Sequence, residues 1–134
     1  MHETTIQVRF GDTDALGHVN NAVFATYAET ARIAFFREAA GMYASPDDTG
    51  GFILARLAID FRAQVKLGHE VKVRTRIAKL GSSSITMTQQ VLADGMVAAD
   101  IEAVAVSFDY EKQRPVRIPD HIRELAEKQL QQPG

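Results

Sequence analysis

No cysteine occurs in this sequence. Disulfides, thiolate metal sites and cysteine nucleophiles are therefore excluded, although no cellular compartment is. The histidines, His2, His18, His69 and His121, are scattered and form no HxxxH or HExxH pattern, so no metal site is expected. No apolar run is long enough to cross a bilayer. The opening residues, Met1-His2-Glu3-Thr4-Thr5, lack the basic and apolar regions of a signal peptide. A cytoplasmic protein without membrane association is the expectation. A net charge of −2 gives no global attraction to nucleic acid or to an anionic membrane. Internal repeats, low-complexity tracts and a domain boundary are also missing.

What remains is an ordinary globular composition, 46% hydrophobic and 24% charged over 134 residues. That suffices for one domain, residues 1–134, with a real core. Thr5 to Phe10 alternates as a first strand, and Gly11 to Gly17 reads as a loop. From about Asn20 to Ala40 apolar residues recur at three- and four-residue steps, which predicts a helix. Asn20 suits its N-cap and Gly41 its stop. Met42 to Gly51 is a loop by composition.

Strands follow. Ile53, Ala55, Leu57, Ile59, Phe61 and Ala63 share one face, opposite Arg56, Asp60 and Arg62. Val71 to Ile77 and Ile85 to Val91 alternate in turn, separated by Leu80-Gly81-Ser82-Ser83. Asp94-Gly95 is a hairpin signal. The strand Met96 to Asp109 changes phase, which a bulge near Glu102 or Ala103, or burial of both faces, would explain. Asp120 opens a short helix through Leu130, and Gln131 to Gly134 should fray. One strand, a long helix and four meandering strands make an α+β fold. The helix is apolar over most of its circumference and can bury that surface only inside a curled antiparallel sheet.

The chemistry concentrates in Val8-Arg9-Phe10-Gly11-Asp12-Thr13-Asp14-Ala15-Leu16-Gly17-His18-Val19-Asn20-Asn21. This segment delivers a carboxylate, a histidine and two asparagines to the start of the long helix. A helix N-terminus offers unpaired N–H groups and partial positive charge. A carboxylate beside it can act on a carbonyl that those groups polarise. Glu29 and Arg32, one turn apart on the helix, are expected to form an ion pair. Between Arg56 and Lys79 the basic residues Arg56, Arg62, Lys66, Lys72, Arg74, Arg76 and Lys79 outnumber Asp60 and Glu70. That local excess suits a phosphate-bearing ligand. Phe24, Tyr27, Phe61 and Met87 could line an apolar pocket.

The loop, together with Tyr27-Ala28-Glu29-Thr30-Ala31-Arg32, resembles the hotdog-fold acyl-CoA thioesterases of the 4-hydroxybenzoyl-CoA thioesterase type. The resemblance implies a hotdog fold, an antiparallel sheet wrapped around one long central helix. It implies Asp14 as base or nucleophile, and the Asn21 backbone N–H as the group polarising the thioester carbonyl. His18 is a catalytic candidate that could tune Asp14, touch the substrate, act as a general base or hold the loop, and Asp12 would orient the turn. Gly17, Asn20 and Tyr27 become substrate-contact candidates. Arg62, with the turn residues Ser82 and Ser83, would meet the nucleotide end of the ligand. No cofactor is implied, coenzyme A being part of the substrate, and a homodimer or homotetramer is the expected assembly. The alternatives are a non-catalytic acyl-CoA-binding domain and a thioesterase acting on acyl carrier protein.

Overall fold

The computed structural model describes residues 2–41 and 50–131. In chain order it contains β1 (His2–Ile6), a 3-10 turn (Phe10–Asp12), α1 (Asn21–Ala40), β2 (Gly50–Phe61), β3 (Val71–Leu80), β4 (Ser84–Ala93), β5 (Met96–Asp109), β6 (Arg114–Pro115) and α2 (Asp120–Gln131). Of the expected loop Met42 to Gly51, residues 42–49 lie outside the described residues, and Gly50 and Gly51 already belong to β2. Of the expected frayed end, Gln131 closes α2 and residues 132–134 lie outside the described residues.

The first strand lies earlier than its alternation suggests, beginning at His2 rather than Thr5. It ends at Ile6, and Asp12 supplies the reason. The Asp12 carboxylate accepts the Arg9 N–H at 3.0 Å, and the Asp12 N–H donates to the Arg9 carbonyl at 2.9 Å. This local bonding bends Arg9 to Asp12 into the turn before a ladder can extend. The long helix behaves as its sequence predicts. The Asn20 side chain accepts the Ala22 N–H at 3.0 Å, and Gly41 takes the left-handed conformation at φ 65° while its N–H caps the Arg37 carbonyl.

The strands form one antiparallel sheet in the order β1-β3-β4-β5-β2, with β6 paired to the end of β5. Its inner face carries Val71, Val73, Ile77, Ile85, Met87, Val91, Ala99 and Ile101, all buried. α1 lies over β1, β3 and β4 and buries Phe24, Tyr27, Ala28, Ala31 and Phe35 against them. α2 adds Ile122 and Ala126 to a second apolar cluster with Phe35, Ile77, Ile85 and Met87. This is the expected α+β hotdog layout, with the helix cradled by the sheet.

Two irregularities set which residues face inward. The β2–β5 register jumps between Leu54 and Arg56, so Phe52 and Leu54 join Leu57 and Ile59 on the inner face while Ile53 pairs with Val106 on the outer one. The expected single apolar face from Ile53 to Ala63 is thus broken at Ala55. In β5, Glu102 and Ala103 pair in register, so no bulge lies there; the ladder shifts instead opposite Val91 and Leu92, at Ala98. Val104, Val106 and Phe108 point outward and are half-buried, which accounts for the change of phase.

Candidate active site

The loop between the 3-10 turn and α1 is pinned from three sides. Thr13 bridges to Val19, and His18 to Lys66. The Val19 N–H donates to the Val65 carbonyl at 2.7 Å. The Asn20 N–H donates to the Asp12 carbonyl at 2.9 Å. Gly17 sits at φ 81°, a conformation that needs glycine at the reversal. The result is a tight hairpin that sets Asp14 beside the helix start.

Asp12 is the anchor beneath this hairpin. It is only 3% exposed, and its carboxylate accepts the Arg9 guanidinium at 3.0 Å and the Tyr27 hydroxyl at 2.8 Å. Burial alone would raise its pKa, but the Arg9 backbone N–H, the Arg9 guanidinium and the Tyr27 hydroxyl together hold it below the usual carboxylate range. The same environment pushes the Tyr27 hydroxyl upward, through burial first and the Asp12 carboxylate second. Asp12 is thereby a structural residue, as expected. Tyr27, a substrate-contact candidate by sequence, does not line the cleft: its ring is buried and its hydroxyl is committed to Asp12.

Asp14, by contrast, is exposed. Its Oδ1 accepts the Leu16 N–H at 2.9 Å and the His18 N–H at 3.2 Å, which fixes the carboxylate in an Asx turn. Its Oδ2 has no hydrogen-bond partner among the described residues. At the start of α1, the Ala22 N–H is bound to the Asn20 side chain and the Val23 N–H to the Asn20 carbonyl. The Asn21 N–H has no partner among the described residues. One open carboxylate oxygen and one open helix-start donor therefore border the same space.

That space is a cleft of about 480 Å³ lined by Asp14, His18, Val19, Asn20, Asn21, Phe24, Phe61, Arg62, Ala63 and Gln64. It brings together Asp14, His18, Asn20, Asn21 and Arg62 from the sequence-derived set. Phe24 and Phe61 meet edge to face at 5.2 Å between ring centroids and supply its apolar wall. Ala63 and Gln64 were missed by sequence reasoning. The available signal was their position between a strand's end and Val65, whose carbonyl holds the loop. Gly17 shapes the hairpin without lining the cleft. Ser82 and Ser83 do not join the site within one chain. They close the far end of β3, which at about 3.3 Å per residue lies roughly 30 Å from the cleft. There the Ser82 carbonyl accepts from Arg123 at 3.0 Å and from the Ile118 N–H at 3.0 Å. Met87 is wholly buried in the core rather than in the cleft.

The expected cations are mostly engaged. Arg56 pairs with Glu102, Arg62 with Asp100, Lys72 with Glu3 and Glu70, and Arg74 with Glu3. Asp100 is held below its ordinary pKa by Gln90 and then by Arg62. Lys66, Arg76 and Lys79 have no ion-pair partner among the described residues. The expected Glu29–Arg32 pair is absent among the described ion pairs, because the arginine turns inward and donates to Gln89 instead. Among the described residues, no group of three or more histidine, aspartate or glutamate side chains is placed to hold a metal, and no helix is long and apolar enough to cross a membrane.

Residues 8–125 match the model of the thioesterase-like superfamily. A thioesterase from Thermus thermophilus, solved in complex with coenzyme A and zinc, is 39% identical; the match covers 98% of this chain and 95% of that one with a TM-score of 0.81. The chloroplastic acyl-acyl carrier protein thioesterase ATL2 of Arabidopsis thaliana is 32% identical over 126 residues, 91% of this chain and 66% of the relative. The acyl-CoA thioester hydrolase YbgC of Escherichia coli O6:H1 is 24% identical over 87% of this chain and 89% of its own length. The chain thus spans about two thirds of the Arabidopsis protein and most of the bacterial ones.

Proposed function

Because this chain belongs to the thioesterase-like superfamily, we propose that it hydrolyses acyl-CoA thioesters to a carboxylic acid and free coenzyme A. The observation that carries the reading is the pairing of the open Asp14 Oδ2 with the open Asn21 N–H on one cleft. The thioester carbonyl oxygen accepts from the Asn21 N–H, where the positive end of α1 favours developing negative charge. Asp14 then removes a proton from water, and the resulting hydroxide attacks the carbonyl carbon; alternatively Asp14 attacks directly and water cleaves the mixed anhydride. In either route the C–S bond breaks, the thiolate leaves and takes up a proton, and the acid departs with one oxygen gained from water or from the carboxylate. His18 holds the carboxylate through its backbone N–H. Both routes use only groups of the chain and water.

Coenzyme A bound to the Thermus relative supports the choice of thiol. Lys66, whose backbone bridges to His18 and which has no ion-pair partner among the described residues, is the cation we propose for its phosphates. The carrier-protein activity of the Arabidopsis relative makes an acyl carrier protein the competing thiol. Thiol release from matched acyl-CoA and acyl carrier protein esters decides between them. Faster turnover of the coenzyme A ester is expected, and turnover of the carrier ester alone overturns the assignment.

We further propose a homodimer built on the edge strand β2. This strand runs twelve residues and, among the described residues, pairs with β5 alone. Leu54 and Phe61 are each 46% exposed on this strand. A long, apolar, unpaired edge is unstable against association, and an antiparallel β2–β2 contact with a second copy satisfies it symmetrically. Leu54→Lys, checked for folding by circular dichroism, is expected to yield a monomer by sedimentation at micromolar concentration. A dimer that persists in this variant places the interface elsewhere.

A further inference from the structure

The cleft is mostly polar, and its apolar surface is concentrated at one corner. Six of its ten lining residues are polar or charged. The corner is built by Phe24 from α1 and Phe61 from the end of β2, whose rings meet edge to face with centroids 5.2 Å apart. Phe24 is 1% exposed and Phe61 46%, so the first is fixed in the core and the second still faces solvent.

Helical side chains lean toward the N-terminus of their helix, so the Phe24 ring lies over the turn that begins at Asn21. A carbonyl oxygen held by the Asn21 N–H therefore has this corner beside it. The acyl chain is the apolar part of the substrate, and burial against the rings is its favourable course. The polar walls, Asp14, His18, Arg62 and Gln64, offer it nothing comparable.

Behind the corner the structure is closed. Phe24 belongs to one apolar cluster with Ala28, Ala31, Ala99 and Ile101. The three alanines have no accessible surface, so no water-sized space lies beside them. Phe61 stands in front of this cluster, paired across the ladder with Ala99. A chain that passes the two rings cannot continue into the core and must turn out to solvent. The ring centroids, 5.2 Å apart, are spanned by about four carbons of a chain that advances about 1.3 Å per carbon.

Resting on the thioesterase reading, we propose that Phe61, set against Phe24, is the specificity-determining residue for the acyl group and selects short chains of about four carbons beyond the carbonyl. Up to that length each added carbon is buried against a ring and strengthens binding. A longer chain gains nothing more, because its tail is left in water beside Arg62 and Gln64. Phe61 is the adjustable half of the pair. It sits at a strand end with its ring half exposed, and its truncation leaves α1 and the buried Phe24 in place. Removing the ring opens the space in front of Ala99 to a longer chain.

The test is a chain-length profile of kcat/KM for acetyl-, butanoyl-, hexanoyl-, octanoyl- and dodecanoyl-CoA. It uses the full chain as wild type, Phe61→Ala and Phe61→Trp, each checked for folding by circular dichroism and for assembly by sedimentation. Burial of one methylene group is worth about fourfold. Wild type is expected to climb by up to about that factor per carbon from acetyl to butanoyl, to peak at butanoyl or hexanoyl, and to gain nothing from octanoyl or dodecanoyl. Phe61→Ala should raise the octanoyl-to-hexanoyl ratio by about tenfold, both added carbons now being buried. Phe61→Trp should move the peak to a shorter chain. General damage to the fold cannot produce shifts in opposite directions. A wild-type profile that rises steadily to dodecanoyl overturns the proposal; a pocket completed by a second copy would give this result. Losses of equal size on every ester in both folded variants overturn it as well, because they mark a structural role. Should wild type cleave none of these esters, nor benzoyl-CoA, the thioesterase reading itself falls and takes the proposal with it.

Discussion

Asp14→Asn is expected to lower kcat/KM on every acyl-CoA the protein cleaves by about 10³-fold, in the range of 10²–10⁴ that a positioned acid or base contributes. The substitution isolates chemistry from folding. The Asx turn uses Oδ1 as acceptor for the Leu16 and His18 N–H groups, and an asparagine amide oxygen accepts the same two bonds. What it lacks is the second anionic oxygen, which has no partner among the described residues. The hairpin should therefore keep its shape and the melting temperature should move by no more than about 2 °C, the scale of a surface substitution within ±0.5 kcal/mol. The measurement is thiol release under first-order conditions beside a thermal melt of both proteins. A folded Asp14→Asn protein that hydrolyses at the wild-type rate removes Asp14 from the mechanism. A variant that loses activity together with several degrees of stability shows that the carboxylate holds the loop instead.

Much of this arrangement was legible because it is local. Asn20 caps the helix through a bond to a residue two positions on, Gly41 stops it by accepting a positive φ, and Asp14 faces Asn21 across a seven-residue loop. Such contacts depend on spacing, which a sequence displays directly. The departures are long-range. Arg32 chooses Gln89, 57 residues away, over Glu29 on the next turn, because the hotdog sheet offers a buried acceptor that helical periodicity cannot see. Tyr27 looked like a pocket residue by its apolar spacing, yet its hydroxyl closes on Asp12, 15 residues earlier. The shifts at Ala55 and Ala98 follow from how β5 must register against β2 and β4 at once. An alternation read along one strand carries no information about its neighbours' register. Ser82 and Ser83 had a turn's composition, correctly read, but composition does not tell at which end of the sheet a turn lies.

Removing the Asp12 carboxylate should cause the largest loss of stability among these substitutions. Asp12→Ala leaves the Tyr27 hydroxyl and the Arg9 N–H without their acceptor beneath the hairpin. The orphaned, buried Tyr27 hydroxyl costs about 1–3 kcal/mol and the part-buried Arg9 N–H less, so a loss of about 3 kcal/mol is expected, with a fall of about 10 °C in Tm for a domain of this size. Tyr27→Phe removes one bond and leaves Asp12 its Arg9 partners, so it should cost about 1 kcal/mol. The double variant should cost less than the sum of the two, since both substitutions delete the same contact. Asp12→Asn exposes the charge component by its pH dependence. The folded-state pKa of Asp12 is depressed, so the native state favours the ionised form. Its contribution is fully present above the unfolded value of about 3.9 and disappears as the pH falls through the folded value. The stability gap between wild type and Asp12→Asn, measured by urea unfolding, should stay level from pH 8 to about pH 5 and close below about pH 4. A gap that persists unchanged at about pH 3 would assign the effect to the shape of the amide rather than to ionisation. Because Asp14 follows Asp12 by two residues and the Asn20 N–H is tied to the Asp12 carbonyl, turnover should decline in step with the anchor: Asp12→Ala should lose activity at temperatures well below its own melting midpoint, as the hairpin frays before the sheet does.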